Sequence, residues 1–247
     1  MSYHSLMPLV ADYCKFFTNP QIFEIGIEFG NTPLTLTSWM GDKDFNYAGV
    51  DIKIPQSLLD TLCYSDLKNH NIHLMEANSL KYLPKLVKEI EENNQAFPIF
   101  TWVLVDGDHN YHTVKQELDY LVKFTDKYTV FLCDDYNGKW SEKDLYYSER
   151  ETHKEVDATP VVDTEQKGVR AAVDEFLKEN DNYQLMDFRM HDENGEEQTC
   201  EAVLLIRKDN EVNFHSFVQQ SLDKIKIGKV YQTNGHKTIV YGEAKEV

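Results

Sequence analysis

From residue 20 onward the chain alternates between two hydrophobic periods. Short apolar runs at 22–26, 47–52, 72–75, 99–105 and 128–133 read as strands. Between them, apolar residues recur at helical spacing over 32–40, 56–69, 79–93 and 111–124, most clearly at Leu80, Leu83, Leu86, Val87 and Ile90. Such alternation predicts right-handed βαβ units, so the expected fold class is α/β with a doubly wound, mostly parallel sheet. The residues before 20 form a short lead-in. Further on, 167–178 is an amphipathic helix with Val169, Ala172, Val173 and Phe176 on one face. The runs at 183–190 and 200–207 flank Asp192-Glu193-Asn194-Gly195, a turn signal, and predict an antiparallel hairpin. A helix over 214–225 and a hairpin around Asn234-Gly235 are expected in the tail.

The rhythm breaks between 137 and 166. That stretch is polar, carries both signs of charge and contains Trp140, Tyr146 and Tyr147. A connection of this length is either a functional lid or a disordered insertion, and its place beside the acids described below suits a substrate lid. Its aromatic rings suit stacking on a sugar or aromatic ligand, although exposed loop aromatics are also ordinary. The organisation expected is a main domain over 1–207 and an extension over 208–247 that packs on the core or joins copies into a homo-oligomer.

Composition narrows the classes. A formal net charge of −17 over 247 residues lacks the basic face that nucleic acid or an anionic membrane surface requires. The four cysteines, Cys14, Cys63, Cys133 and Cys200, are scattered without zinc spacing, as free thiols in a reducing compartment would be. No secretory signal and no apolar run near the ~18 residues of a membrane span is present. The expectation is a cytoplasmic protein.

Two segments carry the chemistry: Val103-Leu104-Val105-Asp106-Gly107-Asp108-His109 and Phe131-Leu132-Cys133-Asp134-Asp135-Tyr136. Each is an apolar run that stops abruptly at carboxylates. In open α/β sheets the ligand site lies beyond the carboxyl ends of the strands. Neighbouring strands lie roughly 4.8 Å apart, so Asp106, Asp134 and Asp135 would converge on a space one cation wide. Unpaired carboxylates there would repel, and an all-oxygen set suits magnesium, with manganese or calcium as alternatives. The bland alternative is that Asp134 and Asp135 cap a loop, that Asp108 caps the next helix and that His112 faces solvent.

The junction of the first strand and first helix reads Glu24-Ile25-Gly26-Ile27-Glu28-Phe29-Gly30-Asn31-Thr32. Its glycines would let a ligand approach the backbone, beside free N–H groups at the helix start. Asp51 ends the second strand, where a carboxylate can accept from ribose hydroxyls. A nicotinamide dinucleotide would require G-x-G-x-x-G, but position 28 is glutamate, the wrong neighbour for a pyrophosphate. Glu24 and Glu28 suit a cationic cofactor without phosphates, which points to S-adenosylmethionine.

On these residues the chain resembles class I S-adenosylmethionine-dependent methyltransferases, whose motif I the E-x-G-x-x-x-G stretch matches. More narrowly it resembles metal-dependent O-methyltransferases acting on macrolide sugars. The carriers are Asp106-Gly107-Asp108-His109-Asn110-Tyr111, Asp134-Asp135 and Gly168-Val169-Arg170-Ala171-Ala172-Val173-Asp174-Glu175-Phe176. The resemblance spans about residues 20 to 207 and implies a Rossmann-like seven-stranded sheet with an antiparallel C-terminal hairpin strand. It implies cofactor contacts at Glu24, Gly26, Gly30, Asn31, Thr32, Asp51, Asn78, Ser79 and Asp106, with Asn78 where relatives often carry an acid. It also implies metal ligation by Asp106, Asp134 and Asp135, and places the general base at His109. The short lead-in leaves acceptor recognition to 137–166, the tail or another subunit.

The activity so implied is methyl transfer to a hydroxyl of a small molecule, a sugar or a phenol. A catechol-type O-methyltransferase would use similar carboxylates, but His109 matches the sugar group better than the lysine of catechol enzymes. A non-catalytic S-adenosylmethionine-binding protein is the second class. An NAD-dependent oxidoreductase is the third, disfavoured by the missing central glycine.

Overall fold

The structure, a computed structural model, describes residues 6–64, 71–191, 197–212, 214, 216–218, 221, 229–234 and 237–241. In chain order the first half runs α1 (Met7–Cys14), β1 (Gln21–Ile25), α2 (Asn31–Met40), β2 (Asn46–Asp51), α3 (Gln56–Tyr64), β3 (Asn71–Glu76) and α4 (Ser79–Glu92). It continues with β4 (Trp102–Val105), α5 (Tyr111–Leu121), β5 (Val130–Cys133) and α6 (Gly168–Glu179). The remaining strands are β6 (Tyr183–His191), β7 (Glu197–Thr199), β8 (Val203–Arg207), β9 (Lys229–Asn234) and β10 (Lys237–Tyr241).

Seven strands in the order β3-β2-β1-β4-β5-β8-β6 make the expected doubly wound sheet. β1 to β5 pair in parallel, and β8 enters antiparallel between β5 and β6. The sheet continues antiparallel from β6 to β9 and β10, and β7 pairs the end of β6. Strands β4 and β5 are apolar at every position because both their faces are covered. Trp102, Leu104, Val130 and Leu132 enter one core, and Val103, Val105, Phe131 and Cys133 enter the other.

Two features depart from the sequence reading. The lead-in contains α1, of which Met7, Leu9, Val10, Ala11, Tyr13 and Cys14 are buried. A helix apolar on nearly every side shows no amphipathic period, so periodicity passes over it. Tyr13 packs edge-on against Trp102 at 5.8 Å and against Phe214 and Phe217 at 5.3 and 5.5 Å, which seats part of the extension in the core. Of the helix expected at 214–225, residues 214, 216–218 and 221 are described and helical.

The second departure is the strand expected at 200–207, of which β8 keeps only 203–207, while a separate short strand, β7, precedes it at 197–199. Between them Asn137 donates its backbone N–H to the Glu201 carbonyl and its side-chain amide to the Cys200 carbonyl, drawing both off the ladder. The turn expected at 192–195 lies outside the described residues.

Candidate active site

The sheet order reverses between β1 and β4, and a cavity of about 550 Å³ opens there at the carboxyl ends of the strands. Gly26, Asp51, Asn78, Ser79, Asp106, His109, Asp134 and Asp135 all line it. Glu24, Gly30, Asn31 and Thr32 do not. The Glu24 carboxylate is buried in the middle of β1, where it accepts hydrogen bonds from Thr32 Oγ1 at 2.6 Å and from the Tyr47 hydroxyl. A buried carboxyl needs such partners. Asn31 is exposed on the first turn of α2.

The two junction glycines are demanded by the protein's own packing. Gly26 has φ +88, and a Cβ there would sit 1.9 Å from the Asp106 carbonyl oxygen, so β1 and β4 could not approach. Gly30 has φ +75, and its missing side chain is replaced by that of Leu58. Between them, Asp51 Oδ2 accepts from the N–H groups of Ile27 and Glu28 at 2.7 and 2.9 Å. Asp51 Oδ1 accepts from Lys53 N at 3.0 Å.

On the far side, Asn78 caps α4 by accepting from Leu80 N, and its amide donates to the Asp157 carbonyl and to Thr159 Oγ1. Ser79 donates to Glu117 Oε1 at 2.6 Å. Glu117, on α5, is fully buried, which pushes its carboxyl up to about 8.

At the ends of β4 and β5 the acids form one network around His109. His109 Nδ1 lies 3.2 Å from Asp135 Oδ2, and Nε2 lies 3.9 Å from Asp106 Oδ1. Burial pushes the imidazole below its ordinary range, opposed by the Asp135 charge. Asp134 is hydrogen-bonded to Asp106, and burial followed by the Asp135 charge pushes it up to about 6. Asp134 Oδ1 is buried with no hydrogen-bond partner among the described residues. Asp135 holds φ +56, a left-handed conformation that costs a non-glycine residue about 1–2 kcal/mol.

The oxygen-only donors and the orphaned Asp134 oxygen have the chemistry of a hard-cation site. As placed, the side chains pair with one another and with His109, and among the described residues no three His, Cys, Asp or Glu stand as ligands to one metal ion.

Asp108 does not cap α5. Asn110 does, through Thr113 N at 2.8 Å, and Asp108 instead accepts from Tyr147 N at 2.9 Å. Buried in that position, the Asp108 carboxyl is pushed up to about 6. The bond helps to dock the 137–166 segment on the site, together with Leu145 N on the His109 carbonyl and Asp144 Oδ1 accepting from Tyr111 N and Gly168 N. Tyr147, Arg150, His153 and Thr159 thereby line the cavity. Sequence reasoning considered Tyr147 but missed Arg150 and His153, because no periodicity marks residues placed by tertiary bonds.

Residues 23–136 match a family described as "Methyltransferase domain". No curated protein matches the chain. Among solved structures, human methyltransferase-like protein 13 in complex with SAH is 14% identical, over 90% of this chain and 90% of that one, with a TM-score of 0.51. The O-methyltransferase TomG from Streptomyces achromogenes, in complex with SAM, is 15% identical over 83% of this chain and 78% of that one, with a TM-score of 0.49. No helix among the described residues is long and apolar enough to cross a membrane. Residues 23–136 thus carry a methyltransferase domain, on a doubly wound sheet whose cavity opens at the β1–β4 reversal.

Proposed function

We propose that the chain methylates a hydroxyl oxygen of a small molecule or sugar with the help of a divalent cation, magnesium. The observation that carries this reading is His109, buried in the cofactor cavity between the carboxylates of Asp106 and Asp135. With Nδ1–H directed at Asp135, the Nε2 lone pair is left to take the proton of an acceptor hydroxyl. Asp106, Asp134 and Asp135 would hold the cation, for which the unpartnered Asp134 oxygen is a ready ligand. When bound, S-adenosylmethionine supplies a methyl group on sulfonium and the cation supplies positive charge for a developing alkoxide.

The remaining work is alignment, which is worth up to about 7–11 kcal/mol in a well-held displacement. Asp51, Asn78 and Ser79 bound the cofactor side of the cavity, and the segment containing Tyr147 and Thr159 limits the entry of water.

Calorimetry of adenosylhomocysteine binding, with and without magnesium, tests the reading on wild type and on the double variant Asp134→Asn/Asp135→Asn. Micromolar binding with a magnesium-dependent heat that the variant lacks is the expected result. Binding indifferent to magnesium and to the substitutions would remove the cation from the mechanism, and no binding at all would overturn the cofactor reading.

A further inference from the structure

The cavity is lined by carboxylates from the sheet and by two cations, Lys53 just after β2 and Arg150 from the segment that covers it. The chain carries 42 acidic residues against 25 basic ones, and its described cations are for the most part paired. Lys81 pairs with Asp157, Lys115 with Asp119 and Glu179, Arg170 with Glu142, and Arg207 with Asp209. Arg150 makes no ion pair among the described residues. Its guanidinium lies over the Tyr147 ring, with Cζ 4.7 Å from the ring centroid. The same ring meets His153 at 4.9 Å and His109 at 6.1 Å. A guanidinium stacked on an aromatic face is fixed in plane, and its N–H edge remains free to take a carboxylate through two parallel hydrogen bonds.

We propose that Arg150, Tyr147 and His153 form the acceptor subsite, and that the acceptor is a hydroxyl compound carrying a carboxylate. The carboxylate sits on Arg150 and the reacting hydroxyl at His109. Two observations favour this class. Arg150 and His109 flank one ring, so they are at most about 11 Å apart, the two ring distances laid end to end, which a single-ring hydroxy acid can bridge. Glu28, Asp51 and Asp106 line the same cavity and disfavour an anion away from its two cations, Lys53 and Arg150, of which Arg150 shares the Tyr147 ring with His109, so the guanidinium sets orientation as well as class.

The inference rests on the methyltransferase reading of this cavity. The methionine part of the cofactor also bears a carboxylate that a guanidinium could take, and the experiment separates the two sources. Adenosylhomocysteine is first titrated into the full chain, wild type and Arg150→Gln. Protocatechuate and shikimate, each against its methyl ester, are then titrated into the complexes saturated with adenosylhomocysteine and magnesium.

The expected result is that at least one acid binds wild type about tenfold more tightly than its ester, or better. Arg150→Gln should abolish that preference while leaving adenosylhomocysteine affinity within about twofold. Equal binding of acids and esters, or none by either, would overturn the proposal. So would a tenfold loss of adenosylhomocysteine affinity in Arg150→Gln, which would assign the guanidinium to the cofactor. Failure of wild type to bind adenosylhomocysteine would instead overturn the methyltransferase reading itself.

Discussion

Glu117 should make the protein less stable as pH rises, and by a measurable amount. Its carboxyl is fully buried on α5, with Oε1 accepting from Ser79 and Oε2 without a partner among the described residues. Burial raises it from an ordinary 4.5 to about 8; the Ser79 bond opposes the rise and the charge of Asp108 adds to it. The unfolded chain releases the proton near the ordinary value, while the folded chain keeps it until the raised one. Between the two values the folded state binds more protons, so stability falls as pH increases, by about 1.4 kcal/mol for each pH unit. Near pH 7 the cost reaches about 3 kcal/mol, a large share of the ~5–15 kcal/mol that holds a domain together. Glu117→Gln has the same shape and no charge at any pH, so it should remove this slope. Urea unfolding of both proteins at about pH 5 and about pH 7.5 reads the difference directly. Asp134 titrates in the same range but is common to both proteins and cancels. The variant should gain about 3 kcal/mol on wild type across that interval. A difference that stays within about 0.5 kcal/mol would refute the reasoning and mean that Glu117 ionises normally in the fold.

Three further outcomes are expected. Gly26→Ala forces a Cβ to within 1.9 Å of the Asp106 carbonyl at a positive φ, so it should cost at least about 2 kcal/mol by thermal unfolding and weaken adenosylhomocysteine binding. Asn78→Ala removes the α4 cap and both ties to the covering segment, and should cost about 1–2 kcal/mol in urea unfolding. His109→Gln should lower kcat by about 10²–10⁴-fold while adenosylhomocysteine still binds; an unchanged kcat would remove His109 as the base.

What the sequence disclosed follows from where local pattern and tertiary structure agree. The runs ending at Val105 and Cys133 were legible because both faces of β4 and β5 are covered, so every position is apolar and the run stops where the cavity begins. Asp106, His109, Asp134 and Asp135 are found at those stops for the same reason. Helix α1 was invisible because burial on most sides erases the amphipathic period. Glu24 reads as a cofactor contact from its charge and its place in the E-x-G-x-x-x-G stretch, whereas its hydrogen bonds to Thr32 and Tyr47, on α2 and β2, carry no local signal. Arg150 and His153 owe their positions to anchors such as Asp108 and Asp144, and no local signal carries such bonds.

The double acceptance by Asp51 also bears on how this fold can be altered. The turn after β1 takes its shape from a carboxylate on another strand, which grips the N–H groups of Ile27 and Glu28. That turn is therefore not a portable cassette. Residues 26–30 grafted from a relative would keep their conformation only if an acid at the end of β2 travelled with them. Chimaeras that split the chain between β1 and β2 would part the turn from its clamp, whereas junctions after β2 would carry both across intact.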